Sequence, residues 1–362
     1  MYAAYTKYRL DFLFEAGTSR GKLQQRDIFL IKIYKDKNDS VYGVGECAPL
    51  SGLSQDDVPD FEEKLKECLK KLISHPPDLQ SEQHIFGWVK NHVDEKLPSI
   101  KFGIEVALLD LLHGGNRQIV DNNWSQHPYQ PIPINGLIWM NSLGHMMQQL
   151  KEKIEAGFDC IKIKIGAINF EDELSLLKHI RARYSAEKIT IRVDANGAFN
   201  ENNVFFKLEK LAKYEVHSIE QPVKAGQYPL MRKVCQESPV DVALDEELIG
   251  IHTWGKRTEL LDEIKPSYII LKPTLVGGIA SSTEWVKLAE ERNIGWWVTS
   301  ALESNVGLNA IAQLTATYSI NMPQGLGTGQ LYHNNFDSPM WIKDGKLHYQ
   351  ANGSWDLDIP EI

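Results

Sequence analysis

The sequence predicts an α/β fold, a (β/α)8-type barrel preceded by an α+β unit. Three observations carry this expectation. First, short β-rich runs recur from residue 131 onward: PIPING, CIKIKIG, TIRVDANG, HSIEQP, DVALDEE, YIILKP, WWVTSALES and PQGLGTG, each closing on a polar or glycine residue. Second, one anchor per strand end (Asn135, Lys164, Asp194, Glu220, Asp245, Lys272, Ser300 and Leu326) gives intervals of 29, 30, 26, 25, 27, 28 and 26 residues. Third, helical stripes fill the intervals, as in Phe170/Leu174/Leu177/Ile180/Tyr184, Val204/Leu208/Leu211 and Val306/Ala310/Ile311/Leu314. Eight strands alternating with helices on an even period favour closure into a barrel over two doubly wound sheets. No internal identity accompanies the period, so it reflects architecture and not a solenoid repeat.

The elements follow in order. Residues 2–14, 27–35 and 40–46 read as strands, the last two joined by the turn Lys37-Asn38-Asp39. A helix over 55–73 carries Phe61, Leu65, Cys68, Leu69 and Leu72 on one face, and another over 99–113 stops at Gly114-Gly115. The polar stretch Asp121 to Pro131 marks a boundary, which divides the chain into 1–125, a barrel over 126–330 and a C-terminal segment over 331–362. That last segment carries Trp341, Leu347 and Trp355 and is expected to fold back on the first domain.

Composition narrows the function classes. The 362 residues are 43% hydrophobic and 24% charged, ordinary globular values. Net charge is −9, from 39 basic and 48 acidic residues with no basic block, which disfavours nucleic acid and anionic membranes as partners. Mean hydropathy is −0.32 and no long apolar run occurs, so no membrane span is expected. The opening MYAAYTKYRLDF lacks the layout of a signal peptide. Cys47, Cys68, Cys160 and Cys235 are widely spaced, reading as reduced thiols in a cytoplasmic protein.

The chemistry lies at the strand ends, where a barrel of this type builds its active site. Strand two ends with Lys162-x-Lys164, strand three with Asp194 followed by Asn196, strand four with Glu220, strand five with Asp245-Glu246-Glu247 and strand six with Lys272. Alternation puts Ile161, Ile163 and Ile165 on one face and both lysines on the other, directed into the barrel. Three carboxylates on neighbouring strands repel unless a cation joins them. The candidate ligands Asp194, Glu220 and Asp245 are all oxygen donors, which suits Mg²⁺, with Mn²⁺ as a substitute, better than Zn²⁺. Such an ion would hold a small-molecule carboxylate, from which one of the two flanking lysines, Lys164 or Lys272, removes the α-proton. A lysine base must titrate near 7–8, well below about 10.4, and a neighbouring ammonium such as Lys162 pushes that way.

The motifs IKIKIG, RVDANGAF, IEQPV, ALDEE, LKPTLVGG and TSALESNVG together resemble the enolase superfamily, in its muconate-lactonising-enzyme-like branch, over essentially the whole chain. The resemblance implies a modified TIM barrel with an N-terminal α+β capping domain. It implies Asp194, Glu220 and Asp245 as metal ligands, Lys164 and Lys272 as catalytic lysines on opposite faces of the substrate, and Lys162 as their tuning neighbour. Within the branch, GECAPLSGLS at 45–54, SALESNVGLNA and GLGTGQLY are most similar to the o-succinylbenzoate synthase family. That likeness implies a lyase of menaquinone biosynthesis, dehydrating 2-succinyl-6-hydroxy-2,4-cyclohexadiene-1-carboxylate with Lys164 as the base. It further implies substrate contacts from Ser300, from the backbone of Gly327 and Thr328, and from Asn196. Loops of the capping domain bearing Thr18, Ser19 and Leu53 are expected to close over the site. Arg192 shares the inward face with Asp194 and reads either as a structural partner of the rim carboxylates or as a substrate contact.

Three other readings compete for the same sequence. An N-succinylamino acid racemase or a dipeptide epimerase would share the lysines and ligands, although the stretch from Asn321 to Asn335 holds no acid to pair a dipeptide ammonium. A metal-free phosphosugar enzyme would use Val276-Gly277-Gly278 and Gly325 to Gly329 to cradle phosphate. A non-catalytic barrel would have no use for five buried charges.

Overall fold

The computed structural model describes the chain apart from residues 19–20, 123, 125–129, 167, 351–352 and 358–362. It opens with three antiparallel strands, β1 (Tyr2–Thr18), β2 (Gly21–Tyr34) and β3 (Tyr42–Cys47), followed by helices α1 (Phe61–Ser74), α2 (Glu82–His92) and α3 (Pro98–Leu112). The β1–β2 hairpin runs further than expected, because Lys22 to Gln25, polar apart from Leu23, continue the ladder beyond the core past a bulge between Asp11 and Ala16. Helix α2 was not foreseen; only Ile85, Trp88 and Val89 of it are buried. Helix α3 is apolar on nearly every side because it lies between the sheet and the second domain. Its backbone meets β3 so closely that a Cβ on Gly45 would stand 2.8 Å from the Gly103 carbonyl carbon.

The barrel follows: β4 (Ile132–Pro133), β5 (Gly136–Ile138), α4 (Leu143–Glu155), β6 (Cys160–Lys164), α5 (Phe170–Arg181), β7 (Thr190–Asp194), α6 (Val204–Ala212), β8 (Ser218–Glu220), α7 (Tyr228–Glu237), β9 (Asp241–Leu244), α8 (Trp254–Ile264), β10 (Tyr268–Leu271), α9 (Pro273–Val276), α10 (Gly278–Glu290), β11 (Gly295–Val298) and α11 (Asn305–Thr315). Strands β5 to β11 pair in parallel in sequence order.

The first and eighth strands differ from expectation. The first pairs over 136–138, beyond Asn135, because Pro131 and Pro133 remove ladder donors. The eighth is reduced to Gln324 and Gly325, which bridge Ile134 on one side and Thr299 on the other and so close the ring. Gly325 is required there, since a Cβ would lie 2.6 Å from Thr299 Cβ. After it, residues 331–336 run along β1, where Leu13 N–H donates to Leu331 O and His333 N–H to Asp11 O, both at 2.9 Å. The hairpin β12 (Met340–Lys343) and β13 (Lys346–Tyr349) pairs with β4, and Tyr349 and Trp355 line a recess together with Gly115, Asn116, Arg117 and Gln118 of the first domain. Ile161, Ile163 and Ile165 are fully buried in the core between barrel and helices, leaving Lys162 and Lys164 inside.

Candidate active site

Register builds the site. Lys164 lies opposite Asp194, and Asp194 opposite Glu220, so adjacent strand ends place an ammonium and two carboxylates side by side. Lys162 Nζ stands 2.9 Å from Asp194 Oδ2 and 2.5 Å from Glu220 Oε2. Lys164 Nζ donates to Asp194 Oδ2 at 2.9 Å and to Asn196 Oδ1 at 2.8 Å. Lys272 pairs with Asp245 Oδ2 across β9 and β10. All six side chains are buried or nearly so.

The acidic run after β9 divides its work. Asp245 faces Lys272, Glu246 accepts from Asn196 Nδ2 at 2.9 Å, and Glu247 turns away to accept from Gln221 Nε2 and Gly226 N–H. Asn196, in the left-handed region at φ 43°, is therefore held between Lys164 and Glu246 as part of the charged network.

The charges hold one another in place. Burial alone would raise Asp194, but Lys162 and Lys164 outweigh it and keep the carboxyl well below the usual range. Burial and then repulsion by Asp194 push Glu220 well above that range. At Lys162 burial works against the charge, yet Asp194 and Glu220 more than offset it and raise the ammonium; Asp245 and Glu220 do the same for Lys272. The downward push expected from neighbouring ammonium groups is thus outweighed at these two lysines by the carboxylates.

Among the described residues no three acids converge as a closed metal nest, because the lysine ammonium groups stand between the carboxylates. The donor set nevertheless fits a hard divalent cation. Its three acids come from three adjacent strands, and Glu220 Oε1 is buried without a hydrogen-bond partner.

Above these groups is a cavity of about 390 Å³. Lys162, Lys164, Asn196 and Lys272 form its floor, and Ser300, Gly327 and Thr328 line one wall. The first domain contributes Leu23, Leu50, Ser51 and Gly52. Leu53, expected at the lid, does not line the cavity; it packs sideways against an apolar cluster while its three preceding neighbours face inward. Ser19 and the side chain of Thr18 lie outside the described residues. Trp139, just beyond β5, was missed, although a tryptophan beside the first strand end is a visible signal for an apolar wall.

Ser300 and Thr328 are tied to each other in that wall. The Ser300 hydroxyl donates to Glu303 Oε2 and accepts from Thr328 Oγ1 at 2.8 Å. Glu303 also accepts from Thr274 Oγ1, joining the segment after Lys272 to that after β11. Arg192 sits one layer below the site, donating to Pro323 O at 2.7 Å and lying 4.0 Å over the Trp297 ring, which is a structural role.

Comparison with known proteins accords with this geometry. The chain belongs to the enolase superfamily: residues 145–353 match the enolase C-terminal domain-like family. Within the superfamily its first domain is of the MenC type, with residues 3–111 matching the MenC N-terminal domain. It is 40% identical to the o-succinylbenzoate synthase of Desulfotalea psychrophila, over 96% of this chain and 98% of that one. The crystal structure of MenC from the same organism superposes with a TM-score of 0.82 at 37% identity, covering 96% of this chain and 99% of that one. The muconate lactonizing enzyme of Pseudomonas putida, 19% identical over 98% of this chain and 96% of its own, shares the fold with a TM-score of 0.77. Members of the superfamily generally use a divalent metal. Among the described residues no helix is long and apolar enough to cross a membrane.

Proposed function

We propose that this chain is a carbon–oxygen lyase that dehydrates 2-succinyl-6-hydroxy-2,4-cyclohexadiene-1-carboxylate to 2-succinylbenzoate, the o-succinylbenzoate synthase reaction of menaquinone biosynthesis. One observation carries the chemistry: Lys164 and Lys272, four strands apart, reach one cavity from opposite sides of the barrel. The full-length likeness to a synthase supports the substrate.

Asp194, Glu220 and Asp245 are the residues that would hold Mg²⁺, or Mn²⁺ in its place. When bound, the ion supplies positive charge beside the ring carboxylate of the substrate. Lys164, in its neutral form, takes the proton on the ring carbon α to that carboxylate. Lys272, kept as an ammonium by its acidic neighbours, faces the negative charge that develops as the carbon becomes planar. Lys164 then returns the proton to the departing hydroxyl on the same face, so water leaves and the ring becomes aromatic. Leu23, Leu50 and Trp139 exclude solvent from the ring.

The test is dehydration by purified protein with Mg²⁺, followed by absorbance of the aromatic product. Lys164→Ala and EDTA should each abolish turnover. A folded, metal-loaded protein without turnover refutes the reading. The opposed lysines also suit 1,1-proton transfer on N-succinylamino acids, which α-proton exchange in D₂O would reveal.

A further inference from the structure

Two carboxylates of the first domain cross into the barrel and end at helix N-termini. Glu105, on α3 and 2% exposed, accepts from Ile279 N–H at 2.5 Å and Ala280 N–H at 3.4 Å through Oε2. These are the first amides of α10. Glu46, on β3 and fully buried, accepts from Ser304 N–H at 3.0 Å, Ser304 Oγ at 2.5 Å and Gly307 N–H at 3.0 Å, at the start of α11. A helix N-terminus leaves its first amides unpaired, and a buried carboxyl group supplies the acceptor they lack.

Each receiving helix carries a glycine that makes the approach possible. A Cβ on Gly278 would stand 2.8 Å from Glu105 Cδ and nearer still to Oε2. A Cβ on Gly307 would stand 2.7 Å from Glu303 Cβ and 3.0 Å from Glu46 Oε2. This gives the glycines of LKPTLVGG and TSALESNVG a physical reason.

The clamped helices adjoin the site. Lys272 caps α9, which passes through Gly277 directly into α10. Ser304 caps α11 and follows the Ser300–Glu303 wall. We propose that Glu105 and Glu46 are positioning residues of the barrel active site, Glu105 holding the Lys272 segment through α10 and Glu46 holding the Ser300–Glu303 wall through α11. The first domain thereby sets the geometry of a lysine and a wall it does not itself supply. The assignment of Lys272 rests on the proposed dehydratase reading.

Full-length Glu105→Gln, Glu105→Asp, Glu46→Gln and Glu46→Asp test this, the aspartates keeping the carboxyl group but withdrawing it by one methylene. Amide exchange on the protein without substrate should quicken at 279–280 in the Glu105 variants and at 304–307 in the Glu46 variants, each leaving the other helix unchanged. In the dehydration assay Glu105→Asp should lower kcat roughly tenfold with KM within twofold, whereas Glu46→Asp should chiefly raise KM. A purely structural role would lower the amount of folded protein without this split. Folded variants with wild-type exchange at both helices, or with quickened exchange but wild-type kcat and KM, overturn the proposal. An inactive wild type refutes the dehydratase reading instead, and exchange at 272–277 in the Glu105 variants then decides the clamp: protection lost supports it and protection kept refutes it.

Discussion

Glu105 makes stability depend on pH in a direction that can be worked out in advance. Burial raises its carboxyl from the ordinary 4.5 to about 8, with the amides of Ile279 and Ala280 and the charge of Lys101 offsetting part of the cost and Glu284 adding to it. An acid whose folded pKa lies above its unfolded value favours the folded state fully below about pH 4.5, and that advantage is lost as pH rises to about 8. Each unit is worth about 1.4 kcal/mol, so the interval is worth roughly 4–5 kcal/mol. Other buried acids such as Asp56, raised to about 6, contribute to the wild-type curve, so the quantity to measure is the difference from Glu105→Gln. Urea denaturation followed by tryptophan fluorescence at pH 5.5, 7 and 8.5 gives it. At pH 5.5 the glutamine variant should be less stable by about 1–3 kcal/mol, since its amide N–H groups lack the acceptors they would need. By pH 8.5 the gap should close and reverse, because the wild type then carries a buried charge that the variant lacks. A gap constant within about 0.5 kcal/mol across the three values would refute the argument.

Gly278→Ala, at φ +100° and against Glu105, should cost roughly 2–4 kcal/mol by the same denaturation measurement. Lys162→Met leaves Asp194 and Glu220 facing each other without their shared ammonium; it should lower metal-free stability by about 3–5 kcal/mol, and added Mg²⁺ should recover part of the lost melting temperature. Ser300→Ala strips Glu303 Oε2 of one donor and Thr328 of its acceptor, which should cost roughly 1–3 kcal/mol in stability by urea denaturation.

Strand alternation made the charged floor legible. Once Ile161, Ile163 and Ile165 must face the helices, Lys162 and Lys164 must face the axis, and the spacing of the anchors brings Asp194, Glu220, Asp245 and Lys272 to the same end. What the sequence did not reveal depends on groups that meet across long separations. The eighth strand is two residues of pairing made possible by Gly325, too short for any periodicity. Helix α2 buries too few residues to mark one face. A serine in a motif shows a hydroxyl but not where its proton goes, and Glu303 takes the proton of Ser300. Glu46 and Glu105 gave no signal of their own because their partners lie 258 and 174 residues away; only the receiving glycines were visible, and a glycine alone reads equally well as a turn.

That ambiguity bears on the metal-free phosphosugar alternative. Its strongest feature was Val276-Gly277-Gly278, since glycines before a helix leave amides open to an anion. In this chain that place is already filled. Glu105 occupies the start of α10, buried and in contact with its amides, so a phosphate there would have to displace an acidic side chain belonging to another domain. The second glycine run fares no better: Gly325, Gly327 and Thr328 line the cavity, but Gly325 is packed against Thr299, and Gly329 lies off the cavity against Asn305. Gly278 is spent on joining the two domains and Gly325 on closing the barrel, and the charge on the cavity floor is that of Lys162, Lys164 and Lys272, with their carboxylate partners behind them. A carboxylate substrate held over that floor is therefore the reading in which both the glycines and the charges have a use.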